Sequence, residues 1–599
     1  MQIKTSRAIL RVFTSILVAI ALLSCTENVK LDLNGEGKNK KAPQDAGWSE
    51  LNKNFAIESC AEIQTSKSKC ACFVDKASMQ YSYDEFSLDP EKVYGELDSA
   101  GECRLGAGQT ESFDKKVNQP TSVSSKSLYW SNPGVLIKGL RTDAERHYVV
   151  SNKAGQVGVV YVQAKWRKEG AKVKDTSIET SSLISLRSFD GGISFELSKT
   201  IDQMGSDYSF KPWLPKAAMN DEGSMVAIWT DQKTHLLNKG ELYASFLAKG
   251  KGSRWSEKVL LSSSMIYHYQ IAYDPTNKAF WVAYAYQTDN DYTGIKVRKF
   301  DLDAKQWREP IVITPSLENF NFIAPKIFIT ENGHGTLVFK AYRRDTDEAR
   351  ERELSIWSSE LKGAEWGKMS EITDAESRSN AKQNPAALKM NDDLNVSLDQ
   401  NGNRIVTWSY MPNDYVSGAF NTIALWLNYK SAAGKVTSEL ISRLDKSKKP
   451  LYQSKYSEVV FNESGGALII WRETVERGAN EVYYSRYYSP ESSYLHPIVG
   501  VNQGQKATWY LDVIPIGEDF LAAYSFSTLE NEKLKHVVHT NIFNVKNTSW
   551  GQARRITDTV YEEDGAYPRF YQAENNSIGI IWRQHHQGTR GLMHARSEY

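Results

Sequence analysis

The sequence predicts an all-β fold, a β-propeller built of four-stranded blades. A short apolar segment that ends in an aromatic residue recurs between about residue 145 and the C-terminus, and strand signals surround each copy. Self-similarity at intervals of roughly 50–70 residues indicates a repeat architecture, and four antiparallel strands per repeat are typical of a propeller blade. We count eight blades, or seven if one weak unit is not a blade. A row of separate sandwich domains is the competing arrangement, but no linkers separate the units.

The apolar segments are near-continuous runs of hydrophobic residues, as expected for a strand covered on both faces by neighbouring sheets. They comprise residues 156–163, 225–229, 280–284, 336–339, 404–408, 467–471, 520–524 and 577–582. We interpret each as the second strand of its blade. A shorter first strand precedes it, as at 215–219, 325–329 and 568–571, and a turn that contains Gly or Asn joins the two. Such turns favour a tight hairpin.

The third and fourth strands follow in each unit, and a Trp commonly begins the fourth, as at Trp255 and Trp307. The eighth unit ends at Tyr599 after only three strands. Upstream of the first unit, residues 129–138 form a strand signal that has no blade of its own. We therefore expect this segment to complete the last blade, which removes the exposed sheet edges that invite aggregation. The propeller then spans 127–599.

The N-terminal residues are typical of a bacterial export signal. Lys4, Arg7 and Arg11 form a basic region, and residues 12–23 form an apolar run too short for a membrane span. The junction Leu22-Leu23-Ser24-Cys25 resembles the lipobox of bacterial lipoproteins. The resemblance implies cleavage after residue 24, lipidation of Cys25 and, because Thr26 rather than Asp follows, an outer-membrane location. An ordinary secretory signal with an incidental Cys is the alternative.

The residues that follow the signal indicate a tether and a soluble domain. Residues 25–48 are polar and cannot bury enough surface to fold, so they predict a flexible segment after the lipidated Cys. Removal of residues 1–24 takes three basic side chains from a chain with 73 Lys and Arg and 72 Asp and Glu, which leaves a net charge of about −2. This balance argues against nucleic acid as a partner.

Four further cysteines lie close together and none occurs after them. They are Cys60, Cys70, Cys72 and Cys103. An even, local set in an exported protein predicts two disulfides, with the pairing left open. A metal site is the alternative, but a CxxC spacing and a nearby His are missing. Apolar residues at helical spacing predict a small α-helical module over 49–105, and the composition of 106–126 predicts a linker.

One turn carries a family signature. Residues 188–195 read Ser-Phe-Asp-Gly-Gly-Ile-Ser-Phe, and Ser188, Asp190, Gly192, Ser194 and Phe195 match the Asp-box, or bacterial neuraminidase repeat. Asp190 can accept hydrogen bonds from turn amides, Gly192 permits a positive φ, and Phe195 can pack into the blade. The chain is therefore similar to the sialidase-like propellers. In that family the box is structural and lies away from the ligand site, where the third strand turns into the fourth.

Sialidase chemistry is not predicted. The family's early Arg lies in a Phe/Tyr-Arg-Ile-Pro motif, and the nearest segment here, 140–143, lacks Ile-Pro. We assign no catalytic residue and no cofactor, because the P-loop, the dinucleotide fingerprint and Gly-x-Ser-x-Gly are all missing. The adjacent His585 and His586 would point apart on a strand, so no metal site is predicted.

The resemblance places the ligand face at the ends of the second strands. We expect a candidate surface of aromatic, cationic and acidic residues there, at equivalent places in different blades: Asp231, Tyr286, Arg343, Arg344, Tyr410, Arg472, Glu473 and Arg583. Such mixtures bind carbohydrate or peptide. A long insertion at 375–396 would lie on the same face. The predicted function is a non-enzymatic binding module for a glycan, peptide or envelope partner; the alternatives are a divergent glycoside hydrolase or lyase and a scaffold without a small ligand.

Overall fold

The computed structural model describes residues 128–137, 147–166, 178–196, 199–204, 213–231, 239–288, 292–314, 320–343, 353–374, 377, 379–380, 394–410, 423–443, 453–474, 481–492, 494–501, 506–530, 533–557, 566–573, 577–586 and 589–598. The chain divides into two units, Met1–Thr121 and Ser122–Tyr599, and all of these residues belong to the second. Within them every regular element is a β-strand, and a helix able to cross a membrane is not found. The signal, Cys25, the tether, the four-cysteine module and the linker up to residue 126 lie outside the described residues.

The strands fall into eight blades, numbered here along the chain. Two short strands precede them, β1 (Tyr129–Trp130) and β2 (Gly134–Ile137). Blade 1 consists of β3 (Tyr148–Ser151), β4 (Val157–Trp166), β5 (Ile178–Ser188) and β6 (Lys199–Met204). Blade 2 consists of β7 (Trp213–Met219), β8 (Met225–Asp231), β9 (Lys239–Leu247) and the first part of β10 (Val259–Asp274).

Blade 3 uses the second part of β10, followed by β11 (Ala279–Gln287), β12 (Thr293–Asp301), β13 (Gln306–Trp307) and β14 (Ile311–Val312). Blade 4 consists of β15 (Phe320–Ile329), β16 (Gly335–Arg343), β17 (Glu353–Lys362), β18 (Glu365–Trp366), β19 (Ser370–Glu371) and β20 (Ser379–Asn380). Blade 5 consists of β21 (Leu394–Leu398), β22 (Arg404–Tyr410), β23 (Ala424–Lys430) and β24 (Val436–Leu440).

Blade 6 consists of β25 (Gln453–Phe461), β26 (Ala467–Thr474), β27 (Glu481–Ser489), β28 (Tyr494–Leu495) and β29 (Val499–Gly500). Blade 7 consists of β30 (Lys506–Ile516), β31 (Asp519–Glu530), β32 (Lys533–Asn544), β33 (Ser549–Trp550) and β34 (Arg554–Arg555). Blade 8 consists of β35 (Ala566–Gln572), β36 (Ser577–His586) and β37 (Thr589–Glu598), with β1 and β2 at its outer edge.

The first strands of the eight blades contact one another in a closed ring. All ladders within the blades are antiparallel, as expected for hairpin-linked strands. The predicted all-β propeller of eight four-stranded blades is therefore confirmed, and eight rather than seven is the count. Blades 2 and 3 form one continuous sheet because β10 pairs with β9 through its first half and with β11 through its second, with Met265 paired on both sides.

The N-terminal strand closes the ring as expected. Tyr129 and Trp130 pair with Glu598 and Ser597, and β2 pairs with β37 between Gly134 and Ile137. The C-terminal end of the predicted insertion at 375–396 is not part of a loop. Residues 394–396 are the start of β21, the first strand of blade 5. A buried Leu-x-Val alternation at Leu394 and Val396 provides the reason, because these two side chains pack in the blade core.

The second strands build the core between blades. In every blade this strand contains at least one aromatic side chain that is at most 1% exposed, and at the equivalent position these are Tyr161, Trp229, Tyr284, Phe339, Trp408, Trp471, Tyr524 and Trp582. Burial of so large a side chain contributes about 2–3 kcal/mol each in area terms. The uniform aromatic end of the sequence repeat thus reflects packing between sheets.

The hairpins between first and second strands share one turn. In five blades a Gly with positive φ donates its amide to the carbonyl of the residue three earlier, as Gly223 does to Asn220 at 3.0 Å. The side chain of that earlier residue accepts the next amide, and Asn220 Oδ1 accepts from Ser224 N at 2.7 Å. The same device recurs at 152–156, 330–334, 399–403 and 462–466. A short polar side chain followed three residues later by Gly explains the recurring turn signal.

Candidate functional site

The Asp-box residues form a compact turn between the third and fourth strands of blade 1. Ser194 donates to both oxygens of Asp190, from its amide at 2.9 Å and its hydroxyl at 2.5 Å, and Ser188 Oγ donates to Asp190 Oδ1 at 2.7 Å. Partial burial disfavours the charged form of Asp190, but the hydrogen bonds from Ser194 and Ser188 outweigh it and lower its pKa to about 2. Gly192 has φ of 82°, and Phe195 packs edge-on against His594 at 5.6 Å between ring centroids. Within the turn, the Asp190 carboxylate thus accepts from Ser188 and Ser194, and the Gly191 amide donates to Gly155 O in the β3–β4 turn at 3.0 Å.

The opposite end of the blades carries the predicted ligand face, and the ladders show that its residues are not equivalent. Asp231, Tyr286 and Tyr410 lie two residues after the buried aromatic of their second strand, whereas Arg472 and Arg583 lie one residue after it and Arg343 lies four after it. Successive residues of a strand point to opposite faces of the sheet. The expected single equivalent position is therefore wrong: Asp231, Tyr286 and Tyr410 match one another, and the two arginines of blades 6 and 8 form a second matching set.

Several predicted face residues are committed to contacts inside the fold. Glu473 has no exposed side-chain surface, and its Oε2 accepts from Arg443 Nε at 3.0 Å. Burial raises the pKa of Glu473, and the ion pair with Arg443 opposes that shift. Lys296 Nζ lies 3.9 Å from the ring centre of Tyr286. Arg344, like the side chains of Asp231, Arg343 and Tyr410, lies outside what the structure describes.

A ring of polar residues, not predicted from the sequence, lines the centre of the propeller. In each blade, the first-strand residue that pairs with the position just before the buried aromatic is polar. We call these eight residues the channel ring: Tyr148, Lys216, Gln270, Lys326, Asn395, Glu458, Asp512 and Arg569. All are partly accessible to water although they lie deep inside the molecule. Lys326 in Pro325-Lys326-Ile327 is a lone polar side chain, but other first strands contain several polar residues, so this pattern does not identify the ring from sequence.

The ring is held together by contacts between neighbouring blades. Arg569 Nη1 lies 3.2 Å from Asp512 Oδ1, and Phe570 N donates to Asp512 Oδ2 at 2.7 Å, which joins blades 7 and 8. Asn395 Nδ2 donates to Glu458 Oε2 at 2.6 Å and to Ser457 O at 2.9 Å, which joins blades 5 and 6. The ring thus contains three cations, two carboxyl groups and three neutral polar groups.

A second layer lies two residues before the channel ring, toward the predicted ligand face. In blades 6, 7 and 8 this position is aromatic, and we call Tyr456, Tyr510 and Tyr567 the tyrosine layer. The rings of Tyr510 and Tyr567 are 3.5 Å apart between centroids, and the Tyr510 hydroxyl donates to that of Tyr567. The corresponding residues of blades 3 and 4 are His268 and Ala324, so among these five described positions only those of blades 6, 7 and 8 carry a phenol ring.

Two matching arginines fix the tyrosine layer. The guanidinium carbon of Arg472 lies 4.3 Å from the ring centre of Tyr456, and that of Arg583 lies 4.8 Å from the ring centre of Tyr567. Cation–π contacts of this kind contribute about 0.5–2 kcal/mol. Tyr456 and Tyr567 also adopt positive φ, 53° and 57°, beside a shift in the ladder register. A non-Gly residue in this region costs about 1–3 kcal/mol and marks a constrained site.

The described residues contain no group of three or more His, Cys, Asp or Glu placed to hold a metal ion. The site consists of the aromatic tyrosine layer and, next to it in the channel, the polar side chains of the channel ring. The tyrosine rings can stack on an apolar face, and the channel ring supplies donors and acceptors of both charges. This chemistry suits a ligand that has a flat apolar face and many hydroxyl groups.

Comparison with known proteins gives the fold alone. Neither a family model nor a curated protein matches the chain. A Dyadobacter fermentans protein of unknown function is 13% identical, with 79% of this chain and 99% of that chain covered and a TM-score of 0.38. The polysaccharide lyase Uly1 is 9% identical over 62% and 88%, with a TM-score of 0.38. The β-propeller domain of the trilobed protease from Pyrococcus furiosus is 10% identical over 70% and 98%, with a TM-score of 0.36. The activities in those names do not transfer to this chain at such values.

Proposed function

We propose that the chain is an outer-membrane lipoprotein whose propeller binds a glycan at the tyrosine layer. The observation that carries this proposal is the run of three aromatic residues on consecutive blades, two of them stacked under arginines, directly above the polar channel ring. A sugar ring presents an apolar face to an aromatic ring and hydroxyl groups to polar neighbours. Tyr456 and Tyr510 are only half-buried, so part of this surface remains accessible.

A glycan fits the site better than a peptide or a folded envelope partner. Flat aromatic rings on one side of a channel match a flat ring ligand, whereas an extended peptide is commonly held by main-chain pairing at an open sheet edge. The channel ring adds carboxyl, amide and phenol groups that can accept or donate to hydroxyls. The tyrosines are constrained before binding, which reduces the entropy lost when the ligand binds.

Binding is tested with the full-length protein in detergent against a panel of bacterial, plant and animal oligosaccharides by calorimetry. For a glycan that binds, Tyr510→Ala weakens affinity tenfold or more, which corresponds to about 1.4 kcal/mol. Tyr494→Ala is the matched control, because Tyr494 is 55% exposed at the outer edge of blade 6, and it leaves affinity unchanged. A panel without binders, or equal affinity for wild type and Tyr510→Ala, would refute the proposal.

The membrane anchor is tested separately. The basic, apolar and Leu-Leu-Ser-Cys segments support lipidation at Cys25. Wild-type protein labels with palmitate in a bacterial host and fractionates with the outer membrane, and Cys25→Ser removes the label. Continued labelling of Cys25→Ser, or recovery of the wild type in the soluble periplasm, would refute the anchor while leaving the glycan proposal intact.

The alternative, a divergent glycoside hydrolase or lyase, has one observation in its favour. Two carboxyl groups, Glu458 and Asp512, belong to the channel ring on adjacent blades, and the charge of Asp512 acts on Glu458. Paired carboxyl groups are what hydrolysis of a glycosidic bond requires. Turnover of a bound oligosaccharide separates the enzyme from the binding module.

A further inference from the structure

The two carboxyl groups of the channel ring have different surroundings. Glu458 Oε2 accepts one hydrogen bond, from the neutral amide of Asn395 at 2.6 Å, and no described group hydrogen-bonds its Oε1. Asp512 uses both oxygens: Oδ1 faces Arg569 Nη1 at 3.2 Å, and Oδ2 accepts from Phe570 N at 2.7 Å. Asp512 therefore has a cation and a backbone amide in direct contact, whereas Glu458 has neither.

This difference separates their protonation. Burial raises the pKa of Glu458, Arg569 and Lys326 oppose the shift, and the charge of Asp512 adds to it. Burial also raises the pKa of Asp512, but Arg569 and two backbone amides stabilise its ionised form directly. The direct contacts therefore stabilise the ionised form of Asp512 better than that of Glu458. Two carboxyl groups whose environments favour opposite protonation states are the usual arrangement of a general acid and its partner base.

We propose that Glu458 and Asp512 are the general acid and the general base of a glycoside hydrolase site in the channel, beneath the tyrosine layer. This inference rests on the proposed function, because the glycan held by the tyrosines supplies the bond that is cleaved. The protonated Oε1 of Glu458 transfers its proton to the glycosidic oxygen. The bond from that oxygen to the anomeric carbon breaks, and its electron pair remains on the oxygen.

Water completes the reaction. One water molecule adds through its oxygen to the anomeric carbon, and its proton passes to the carboxylate of Asp512. The products are two shorter sugars, and solvent returns each carboxyl group to its starting state. Arg569 and Asn395 are positioning residues: Arg569 keeps Asp512 ionised, and the amide of Asn395 leaves Oε1 as the oxygen of Glu458 that is available for the proton transfer.

The test uses the full chain and the oligosaccharide that binds best. Glu458→Gln lowers its hydrolysis by about 10²–10⁴-fold, but lowers hydrolysis of the matching dinitrophenyl glycoside by less than about tenfold, since that leaving group departs without a proton. Asp512→Asn lowers both rates. Glu463→Gln is the control, because Glu463 is exposed in the β25–β26 turn of the same blade, and it leaves both rates unchanged.

Three results would overturn the acid–base assignment while leaving the binding proposal intact. They are a bound glycan that wild-type protein does not hydrolyse, equal losses on both substrates for Glu458→Gln, and products that appear in the first turnover as the retained anomer, since direct attack by water inverts it. Calorimetry on Glu458→Gln separates a role in glycan binding from a role in bond cleavage. If Glu458 acts only on the bond, the affinity of the variant for the glycan stays within about threefold of the wild type. A panel without binders refutes the proposed function itself.

Discussion

Trp130 and Thr540 are 410 residues apart in sequence, and the indole Nε1 of Trp130 donates a hydrogen bond of 2.9 Å to Thr540 Oγ1. Trp130 lies on the outer strand of blade 8 and Thr540 on the third strand of blade 7. The Trp130 ring also stacks on Phe570 with centroids 6.3 Å apart. A residue at the start of the propeller therefore joins its two last blades.

We predict that Trp130→Ala lowers the free energy of unfolding by about 1–3 kcal/mol, because it removes this packing and leaves the Thr540 hydroxyl without its partner. Chemical denaturation followed by intrinsic fluorescence measures the change. Tyr129→Ala is the control, since Tyr129 is 71% exposed and its loss changes stability by less than about 0.5 kcal/mol. Equal effects of both variants would contradict the role of the Trp130 contacts.

The Asp-box turn predicts an acid dependence. The folded pKa of Asp190, about 2, lies below its ordinary value near 3.8, so its stabilising effect is complete above about pH 4 and is lost as the pH falls toward 2. After allowance for solvent screening, Asp190→Asn costs about 1 kcal/mol at neutral pH. The difference from wild type disappears near pH 2. Asp303→Asn, in an exposed position of the matching turn in blade 3, shows neither effect.

Three histidines, one buried and two partly buried, predict a second acid dependence, at higher pH. Burial lowers the pKa of His147 to about 3 and that of His539 and His594 to about 4. Each is neutral when folded and charged when unfolded below about pH 6.5, so unfolding takes up protons and stability falls as the pH decreases from about 6.5 toward 4. Each histidine contributes a slope of up to about 1.4 kcal/mol per pH unit. Urea denaturation at pH 7.0, 5.5 and 4.5 measures it, and His594→Gln gives a shallower slope. An unchanged slope in that variant would exclude His594.

The pair of Asp512 and Arg569 predicts an asymmetric response to mutation. Asp512→Asn leaves the Arg569 cation without its counter-ion and lowers the free energy of unfolding by about 1–3 kcal/mol, a discounted value because both side chains retain contact with water. The double variant Asp512→Leu with Arg569→Met removes both charges and recovers most of that loss. Thermal unfolding compares the three proteins. A double variant at least as unstable as Asp512→Asn would show that the charges are not coupled.

The parts of the fold that could be predicted from the sequence are those in which the same packing contact recurs in every blade. The aromatic residue of each second strand recurs because it is buried between sheets, and its recurrence gave the blade count and the closing strand at 129–138. The channel ring could not be found in the same way, because its eight members share polarity and position but no residue type. Their common feature is a register, Glu458 opposite Ile470 and Asp512 opposite Ala523, and this becomes visible only when the strands are paired.

The location of the candidate face at this end of the blades stays a prediction, and the ladders revise only which of its residues are equivalent. Arg472 and Arg583 are equivalent because each lies one residue after the buried aromatic. Asp231 and Tyr286 lie two residues after it and therefore on the opposite face of the sheet. Glu473, conspicuous in sequence, is completely buried against Arg443. Tyr456, Tyr510 and Tyr567 were missed because they lie in the first strands, beside irregularities of the ladder that the sequence does not reveal.

The sharing of β10 by blades 2 and 3 has a mechanical consequence. These two blades are joined by an uninterrupted backbone through Met265, with ladders on both sides. They should therefore open together in hydrogen exchange as one cooperative unit. The closed ring of eight blades then has seven further junctions, and any widening of the channel takes place at those junctions.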